Sequence, residues 1–159
     1  MALFYAADLA DRLEREIIPA LRAGFVVLTD RYLYSLIARS VVRGVDPKWV
    51  RSLMGFALVP DAVFYLRSDV ENLIPRVLSS RGFDYWESGM DFLGCPDYFE
   101  SFIRYQQSML GVFDELGREY GFRDIDATQS IQQVFVALRD GVEEIVRSLK
   151  PEIPADEAT

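Results

Sequence analysis

Cysteine and histidine are almost absent from this chain of 159 residues, and their scarcity excludes several kinds of site. Cys95 is the single cysteine, so neither an internal disulfide nor a cysteine-based zinc cluster is possible. Without histidine, the chain has no histidine-based metal site and no Ser-His-Asp triad. No apolar run approaches the roughly 18–20 residues of a membrane span, and no cleavable signal pattern is present. We therefore expect no membrane partner and a cytoplasmic location.

Lysine is also scarce, and this excludes one kind of phosphate-binding loop within the chain. The two lysines, Lys48 and Lys150, do not follow glycine, so the pattern G-x-x-x-x-G-K-[ST] does not occur. The remaining basic residues are arginines, whose planar guanidinium can bind a phosphate through two hydrogen bonds. Local anion sites and a compositional bias both explain this preference, and the sequence leaves both open. The net charge of −8 argues against general nucleic-acid binding.

The length and the 50% hydrophobic content are those of one folded domain. Short apolar runs rich in β-branched and aromatic residues alternate with stretches of helical periodicity. This alternation is typical of an α/β fold in three layers, with helices on both faces of a parallel sheet. The predicted strands are 25–29, 62–66 and 122–126. The predicted helices are 3–23, 33–42, 47–57, 68–80, 98–120 and 131–149.

Residues 81–97 follow neither period, because glycine and proline interrupt them repeatedly among several aromatic residues. Long loops of this kind in compact domains are usually lids or binding loops. We predict a lid at 81–97 inside a domain of residues 1–150. Residues 151–159 hold two prolines and three acidic residues, and are predicted to be a flexible acidic tail.

The most informative motif is Asp30-Arg31-Tyr32, at the end of the first predicted strand. Parallel sheets bind ligands in a crevice beyond the carboxyl ends of their strands. There, Arg31 suits a phosphate and Asp30 suits a hydrated Mg²⁺ ion. A surface ion pair at a strand end explains the same residues about equally well.

Five blocks in a fixed order carry a resemblance to a known family. They are 3–8 (LFYAAD), 30–32 (DRY) followed by Ser35, 43–46 (RGVD), 60–66 (PDAVFYL) and 125–131 (IDATQSI). In this order and spacing, the chain resembles the thymidylate kinase family of P-loop nucleoside monophosphate kinases. The resemblance implies a P-loop nucleotide kinase fold whose N-terminal P-loop strand and helix are missing from this chain. The missing strand would lie between the first and second predicted strands, so either a lost preceding segment or another chain completes the sheet.

The resemblance implies roles around the acceptor nucleotide. Arg31 would bind the acceptor monophosphate, and Asp30 would assist Mg²⁺, through water. Tyr32 and Ser35 would line the acceptor pocket. Tyr5 falls at the position of an aromatic residue that stacks on thymine, although a core aromatic explains Tyr5 about equally well. The family's thymine-binding arginine falls on Leu9, which has no donor, and this departure puts thymine specificity in doubt.

The resemblance also implies roles around the phosphoryl donor ATP. Arg76 and Arg81 stand at the entrance to the predicted lid, where the family's arginines close on the donor phosphates. The family's Asp-Arg-aromatic-Glu motif appears as residues 84–87, with Tyr85 in place of the arginine. Trp86 is predicted to contact a ligand or an interface. The loop of Ala127, Thr128 and Gln129 would wrap the adenine, although an ordinary helix-capping turn explains it as well.

The implied reaction is transfer of the ATP γ-phosphoryl to dTMP or a related monophosphate, with Mg²⁺. Arg31, Asp30 and Arg81 are the predicted catalytic residues, but we expect this chain alone to be inactive without a phosphate-binding loop. A non-catalytic nucleotide-binding or regulatory module is one alternative. A kinase of the same fold acting on another small phosphorylated substrate is a second. Family members commonly form dimers through helices, so a homodimer is expected here.

Overall fold

The computed structural model describes residues 1–80 and 82–149. These residues form seven α-helices, one π-helical segment and two strands. In chain order they are α1 Ala2–Arg12, the π-helical segment Leu13–Ile17, α2 Ile18–Arg22, α3 Leu33–Val42, α4 Pro47–Leu53, β1 Phe64–Arg67, α5 Val70–Ser79, α6 Tyr98–Tyr120, β2 Arg123–Asp126 and α7 Ile131–Leu149. Arg81, Lys150 and the predicted tail 151–159 lie outside the described residues. Among the described helices, none is long and apolar enough to cross a membrane.

Local sequence sets most helix ends. The side chain of Asp46 accepts a hydrogen bond from the backbone N–H of Trp49, and Asp97 caps α6 in the same way through Glu100. A short polar side chain at this position satisfies a backbone donor that has no partner within the helix. At the other end of α6, Gly121 has φ +66°, a conformation that glycine adopts without strain. The predicted helices 33–42, 98–120 and 131–149 are confirmed at both ends.

The first predicted helix, 3–23, is confirmed in position but changes its winding in the middle. The N–H of Ile18 donates to the carbonyl of Leu13, five residues earlier, which is the π-helical pattern. Pro19 follows directly and has no N–H to give to the carbonyl of Arg15, so regular α winding cannot continue there. The wider turn lies where proline interrupts the backbone hydrogen bonds.

The core lies between helices rather than on the sheet. Leu9 and Leu13 of the first helical stretch pack with Ile37 of α3, Val50 of α4 and Met109 of α6. All five side chains are buried, and burial of each contributes about 1.5–3 kcal/mol. This cluster fixes α1 and α3 relative to each other, and the pocket described below lies between them.

The sheet in the described part of the chain has two strands instead of the predicted three. β1 and β2 are parallel, with Phe64 opposite Arg123 and Arg67 opposite Asp126. Their separation by α5 and α6 is typical of an α/β crossover. The structure therefore shows part of an α/β fold, and the three-layer arrangement is not seen in it.

The predicted strand 25–29 is wrong for this structure, since this segment has no regular secondary structure. Within the described residues, the N–H and carbonyl groups of residues 26–29 make no backbone hydrogen bond. A strand exists through hydrogen bonds to a neighbouring strand, and none of the described strands pairs with this segment. Val26 and Leu28 are consequently 59% and 74% exposed despite their strand-like sequence.

A large cleft separates this segment from the sheet. Its volume is 1410 Å³, and its walls include residues 25–29, β1, and apolar side chains of α6 and α7. On the other edge of β1, β2 already forms the parallel pair, so the cleft lies where further strand pairing would be possible. We refer to this cleft as the trench.

Candidate functional site

A second, smaller cavity lies between α1 and the start of α3. Its volume is 240 Å³, and we refer to it as the Arg31 pocket. Four of the residues predicted to bind the acceptor come together in it with Asp30. The full lining is Tyr5, Asp8, Leu9, Arg12, Asp30, Arg31, Tyr32, Ser35, Leu36 and Arg39.

The backbone of Arg31 is strained. Its φ is +61°, and it is the only non-glycine residue with positive φ in the described part of the chain. Holding a non-glycine residue in this region costs about 1–3 kcal/mol, and such residues concentrate at binding and catalytic sites. The strained corner turns the chain from residue 30 into α3, which begins at Leu33.

The Arg31 guanidinium and the Asp30 carboxylate have no hydrogen bond or ion pair to any other described residue. Both side chains are exposed, so the surface ion pair allowed by the sequence is not formed. α3 begins two residues after Arg31, and the partial positive charge at a helix N-terminus favours an anion nearby. An unpaired arginine beside a helix N-terminus is suited to binding a phosphate group.

Tyr32 and Tyr5 form walls of the pocket, and each hydroxyl already has a partner. The Tyr32 hydroxyl donates to the carbonyl of Leu58 at 3.1 Å, and burial raises the pKa of this phenol. The Tyr5 hydroxyl lies 3.5 Å from the sulfur of Met1. Both rings pack against the buried helical cluster as well as lining the pocket, and Ser35 brings a hydroxyl from the first turn of α3.

Three polar residues of the pocket were missed by the sequence analysis. Arg12 pairs with Asp8 at 2.6 Å on the face of α1 that also carries Tyr5, and Arg39 lies one helical turn after Ser35. Helical spacing could have identified them, since Arg39 lies four residues after Ser35, and Asp8 and Arg12 lie three and seven residues after Tyr5. Leu9 is 2% exposed and belongs to the core, whereas Arg12 lines the pocket on the same side.

Other predicted site residues lie outside the Arg31 pocket. Arg76 donates to the carbonyl of Ala127 at 2.7 Å and so connects α5 to the predicted adenine loop. Directly before that loop, Asp126 accepts hydrogen bonds from the hydroxyl and the N–H of Thr128 and from the side chain of Gln129. These hydrogen bonds lower the pKa of Asp126. Arg81, the remaining predicted catalytic and lid arginine, lies outside the described residues.

Trp86 does not line the Arg31 pocket either. Its ring is half exposed and meets Tyr85 edge to face, with 5.2 Å between the ring centroids. Its backbone carbonyl accepts a hydrogen bond from Arg43. Residues 82–97, the described part of the predicted lid, are a series of turns, and movement of this segment stays a prediction.

The described residues contain no group of three carboxylate, histidine or cysteine side chains able to hold a metal. Mg²⁺ is often bound by one or two carboxylates, with water and substrate phosphates completing the octahedron. Asp30, an exposed and unpaired carboxylate next to Arg31, fits this mode of binding.

Fold and pocket together define an α/β protein with an exposed arginine, unpaired among the described residues, at the start of a helix. The family model described as thymidylate kinase matches residues 1–137. The chain belongs to the thymidylate kinase family, which confirms the resemblance and implies the P-loop NTPase fold.

Individual relatives agree with this membership. "Probable thymidylate kinase 2" of Saccharolobus solfataricus is 38% identical over 140 residues, covering 87% of this chain and 66% of that protein. "Thymidylate kinase" of Bifidobacterium longum (strain NCC 2705) is 36% identical over 148 residues, covering 91% and 66%. "Probable thymidylate kinase" of Thermococcus kodakarensis is 42% identical over 80 residues, covering 50% and 39%. The chain thus spans just under two thirds of the length of the first and second of these relatives.

Proposed function

We propose that this chain supplies the acceptor side of a thymidylate kinase and binds dTMP, or a related nucleoside monophosphate, in the Arg31 pocket. Arg31 carries the proposal, because its guanidinium is unpaired among the described residues while its strained backbone holds it in the pocket. Family membership and the names of the relatives support a nucleoside monophosphate kinase.

The remaining pocket residues take roles that suit their chemistry. The ring of Tyr5 stacks on the base, Ser35 hydrogen-bonds the acceptor, and Tyr32 closes one side. Arg12 replaces the donor that Leu9 lacks, held in place by its ion pair with Asp8. A bidentate arginine bound to a base carbonyl or phosphate is more selective than an apolar contact, because an unmatched ligand leaves its donors unpaired.

ATP and Mg²⁺ belong to the proposed reaction. Asp30 would hold hydrated Mg²⁺ close to the acceptor phosphate, which reduces the charge repulsion between the two phosphate groups. Ala127, Thr128 and Gln129 would contact the adenine, while Arg76 and Arg81 would contact the donor phosphates. The hydrogen bond from Arg76 to Ala127 supports a common role for these elements.

The trench supports the proposal that a glycine-rich phosphate loop and its strand are supplied from outside this sequence. Residues 26–29, on one side of the trench, have backbone groups with no backbone partner among the described residues, and β1 offers an edge on the other side. An inserted apolar strand would form backbone hydrogen bonds with both sides of the trench, and the loop following that strand would reach the phosphates of ATP. This completed unit, as a homodimer in the cytoplasm, is the form in which we propose catalysis.

Calorimetric titration tests the acceptor site in the chain as it stands. We expect dTMP to bind, thymidine to bind at least about tenfold more weakly because it lacks the phosphate, and Arg31→Ala to abolish that difference. Arg15→Ala, which removes an exposed arginine of the first helical stretch outside the pocket, is the control and should bind dTMP normally. Equal affinity for dTMP and thymidine would contradict the proposed acceptor site.

Phosphoryl transfer from ATP to dTMP tests the reaction. We would compare this chain with a version extended upstream to an in-frame G-x-x-x-x-G-K-[ST] segment. Activity only in the extended version supports a kinase whose phosphate loop lies outside this sequence. Binding of dTMP without turnover in either version favours the non-catalytic module, and turnover of another phosphorylated acceptor favours the second alternative. Turnover by the present chain would contradict the need for the loop.

A further inference from the structure

The guanidinium of Arg43, at the end of α3, uses all of its hydrogen-bond donors. Nε donates to Asp91 Oδ2 at 2.9 Å, and one terminal nitrogen donates to Asp91 Oδ1 at 3.2 Å and to the Trp86 carbonyl at 2.9 Å. The other terminal nitrogen donates to the Arg39 carbonyl at 3.3 Å and the Tyr105 hydroxyl at 3.1 Å. Arginine has five N–H donors in a fixed plane, and here each has a partner.

This network is well shielded from water. The side chains of Arg43 and Asp91 are each 13% exposed, and the guanidinium carbon lies 5.2 Å from the ring centroids of both Phe92 and Tyr105. Burial alone would lower the pKa of Arg43, but the hydrogen bonds to Asp91 and Tyr105 outweigh it and raise the pKa. Arg43 therefore keeps its charge in this partly buried network.

Three consecutive backbone carbonyls in the 84–93 segment are held by side chains of α3 and α6. The Trp86 carbonyl accepts from Arg43 at 2.9 Å, the Glu87 carbonyl from Gln106 at 3.2 Å, and the Ser88 carbonyl from Ser101 at 2.7 Å. Gly89 follows with φ +69°, and an added Cβ would lie 3.0–3.1 Å from Leu93, Phe92 and Tyr105. The middle of the predicted lid is thus fixed against the helices.

The residue held at the centre of this arrangement is Glu87. Its carboxylate lies 3.8 Å from Arg39, the arginine that lines both the Arg31 pocket and the trench. We propose that Arg43 is a positioning residue that holds the 84–93 segment so that Glu87 orients Arg39 toward the acceptor in the Arg31 pocket. This inference rests on the proposed function, since it assigns the wall of the same acceptor site.

Lysine cannot substitute for Arg43 in this role. It keeps the charge and most of the aliphatic stem, but it has three donors at one point rather than five in a plane. Arg43→Lys therefore removes the planar arrangement of five donors and keeps the positive charge. Arg51→Lys is the matched control, because Arg51 also pairs with a carboxylate, Glu119, and lies over a ring, Tyr120, but has no contact with residues 84–93.

Hydrogen exchange followed by mass spectrometry tests the positioning without any ligand. We expect Arg43→Lys to accelerate amide exchange in residues 84–93 by at least about tenfold, with exchange in α1 unchanged. Arg51→Lys should leave exchange in residues 84–93 as in the wild type. Unchanged exchange in Arg43→Lys would overturn the proposal, whether or not the chain binds dTMP.

Titration with dTMP tests the consequence for the acceptor. We expect Arg43→Lys and Glu87→Gln each to weaken dTMP binding by about tenfold, and Glu87→Gln to do so without accelerating exchange in residues 84–93. Affinity within twofold of the wild type in either variant would overturn the proposal. Failure of the wild type to bind dTMP would instead contradict the proposed function, and the exchange experiment alone would then decide whether Arg43 fixes the segment.

Discussion

The strained backbone of Arg31 makes a prediction that separates its structural effect from its ligand binding. At φ +61°, any side chain with a Cβ costs about 1–2 kcal/mol relative to glycine. Glycine in turn loses about 0.5–1 kcal/mol through the greater freedom of the unfolded chain. We therefore expect Arg31→Gly to be up to about 1.5 kcal/mol more stable than Arg31→Ala, and at least as stable as the wild type.

The same two variants should lose ligand binding equally. A hydrogen bond to a charged group contributes about 1.5–3 kcal/mol, which is roughly a 10- to 150-fold change in Kd. Urea unfolding measures the stability difference, and titration with dTMP measures the affinity. If Arg31→Gly were less stable than Arg31→Ala, the backbone would not be strained. If either variant bound dTMP as tightly as the wild type does, Arg31 would not bind the phosphate.

Three further predictions concern packing, pH and the pocket wall. A Cβ on Gly141 of α7 would lie 2.5 Å from Phe64, so Gly141→Ala should lower the free energy of unfolding in urea by about 1–3 kcal/mol. A Cβ on Gly111 would have nothing within 4 Å, so Gly111→Ala should raise the free energy of unfolding by up to about 1 kcal/mol. If Gly141→Ala also stabilised the protein, the close contact of α7 with β1 would be contradicted. The hydrogen bond from Arg51 lowers the pKa of the exposed Glu119, so this carboxylate stabilises the fold above its ordinary pKa of 4.5 and the contribution is lost as pH falls further. The stability gap between wild type and Glu119→Gln, followed by urea unfolding, should therefore close below that pH, and a gap that widened would contradict the assignment. Tyr32→Phe removes the hydrogen bond to the Leu58 carbonyl and should lower the free energy of unfolding by about 0.5–1.5 kcal/mol. Its dTMP affinity should change less than twofold, and a larger loss of affinity would show that the hydroxyl contacts the ligand.

The helices could be predicted from sequence because their ends are local. Asp46, Asp97 and Gly121 lie within a few residues of the ends that they define, and the apolar stripe containing Leu9 and Leu13 belongs to one helix. The segment 25–29 could not be predicted in this way. Its β-branched residues indicate a strand, but a strand also requires a neighbour in space, and none of the described strands provides one.

The acceptor pocket could be predicted in part for a similar reason. Arg31, Tyr32 and Ser35 lie in one short motif, and the resemblance to a family added Tyr5. Arg12 was missed because its i, i+4 partner Asp8 makes it look like an ordinary surface ion pair. Arg43 was missed because its partners Asp91 and Tyr105 lie 48 and 62 residues away in the sequence, and local sequence patterns do not predict contacts between residues so far apart.

Binding and phosphoryl transfer should be separable in this chain because the acceptor pocket is local in sequence. Its lining comes entirely from residues 5–39, and the helices that carry it are fixed by the buried cluster around Leu9 and Ile37. The trench, in contrast, draws its walls from residues as distant as Ile17 and Leu149. Five residues of the Arg31 pocket, Asp30, Arg31, Tyr32, Ser35 and Arg39, also line the trench, so a strand there would cover that side of the pocket and leave the wall from α1 in place. We expect dTMP binding to be retained without a strand in the trench, because the buried cluster holds α1 and α3 together around the pocket, whereas turnover should depend on that strand.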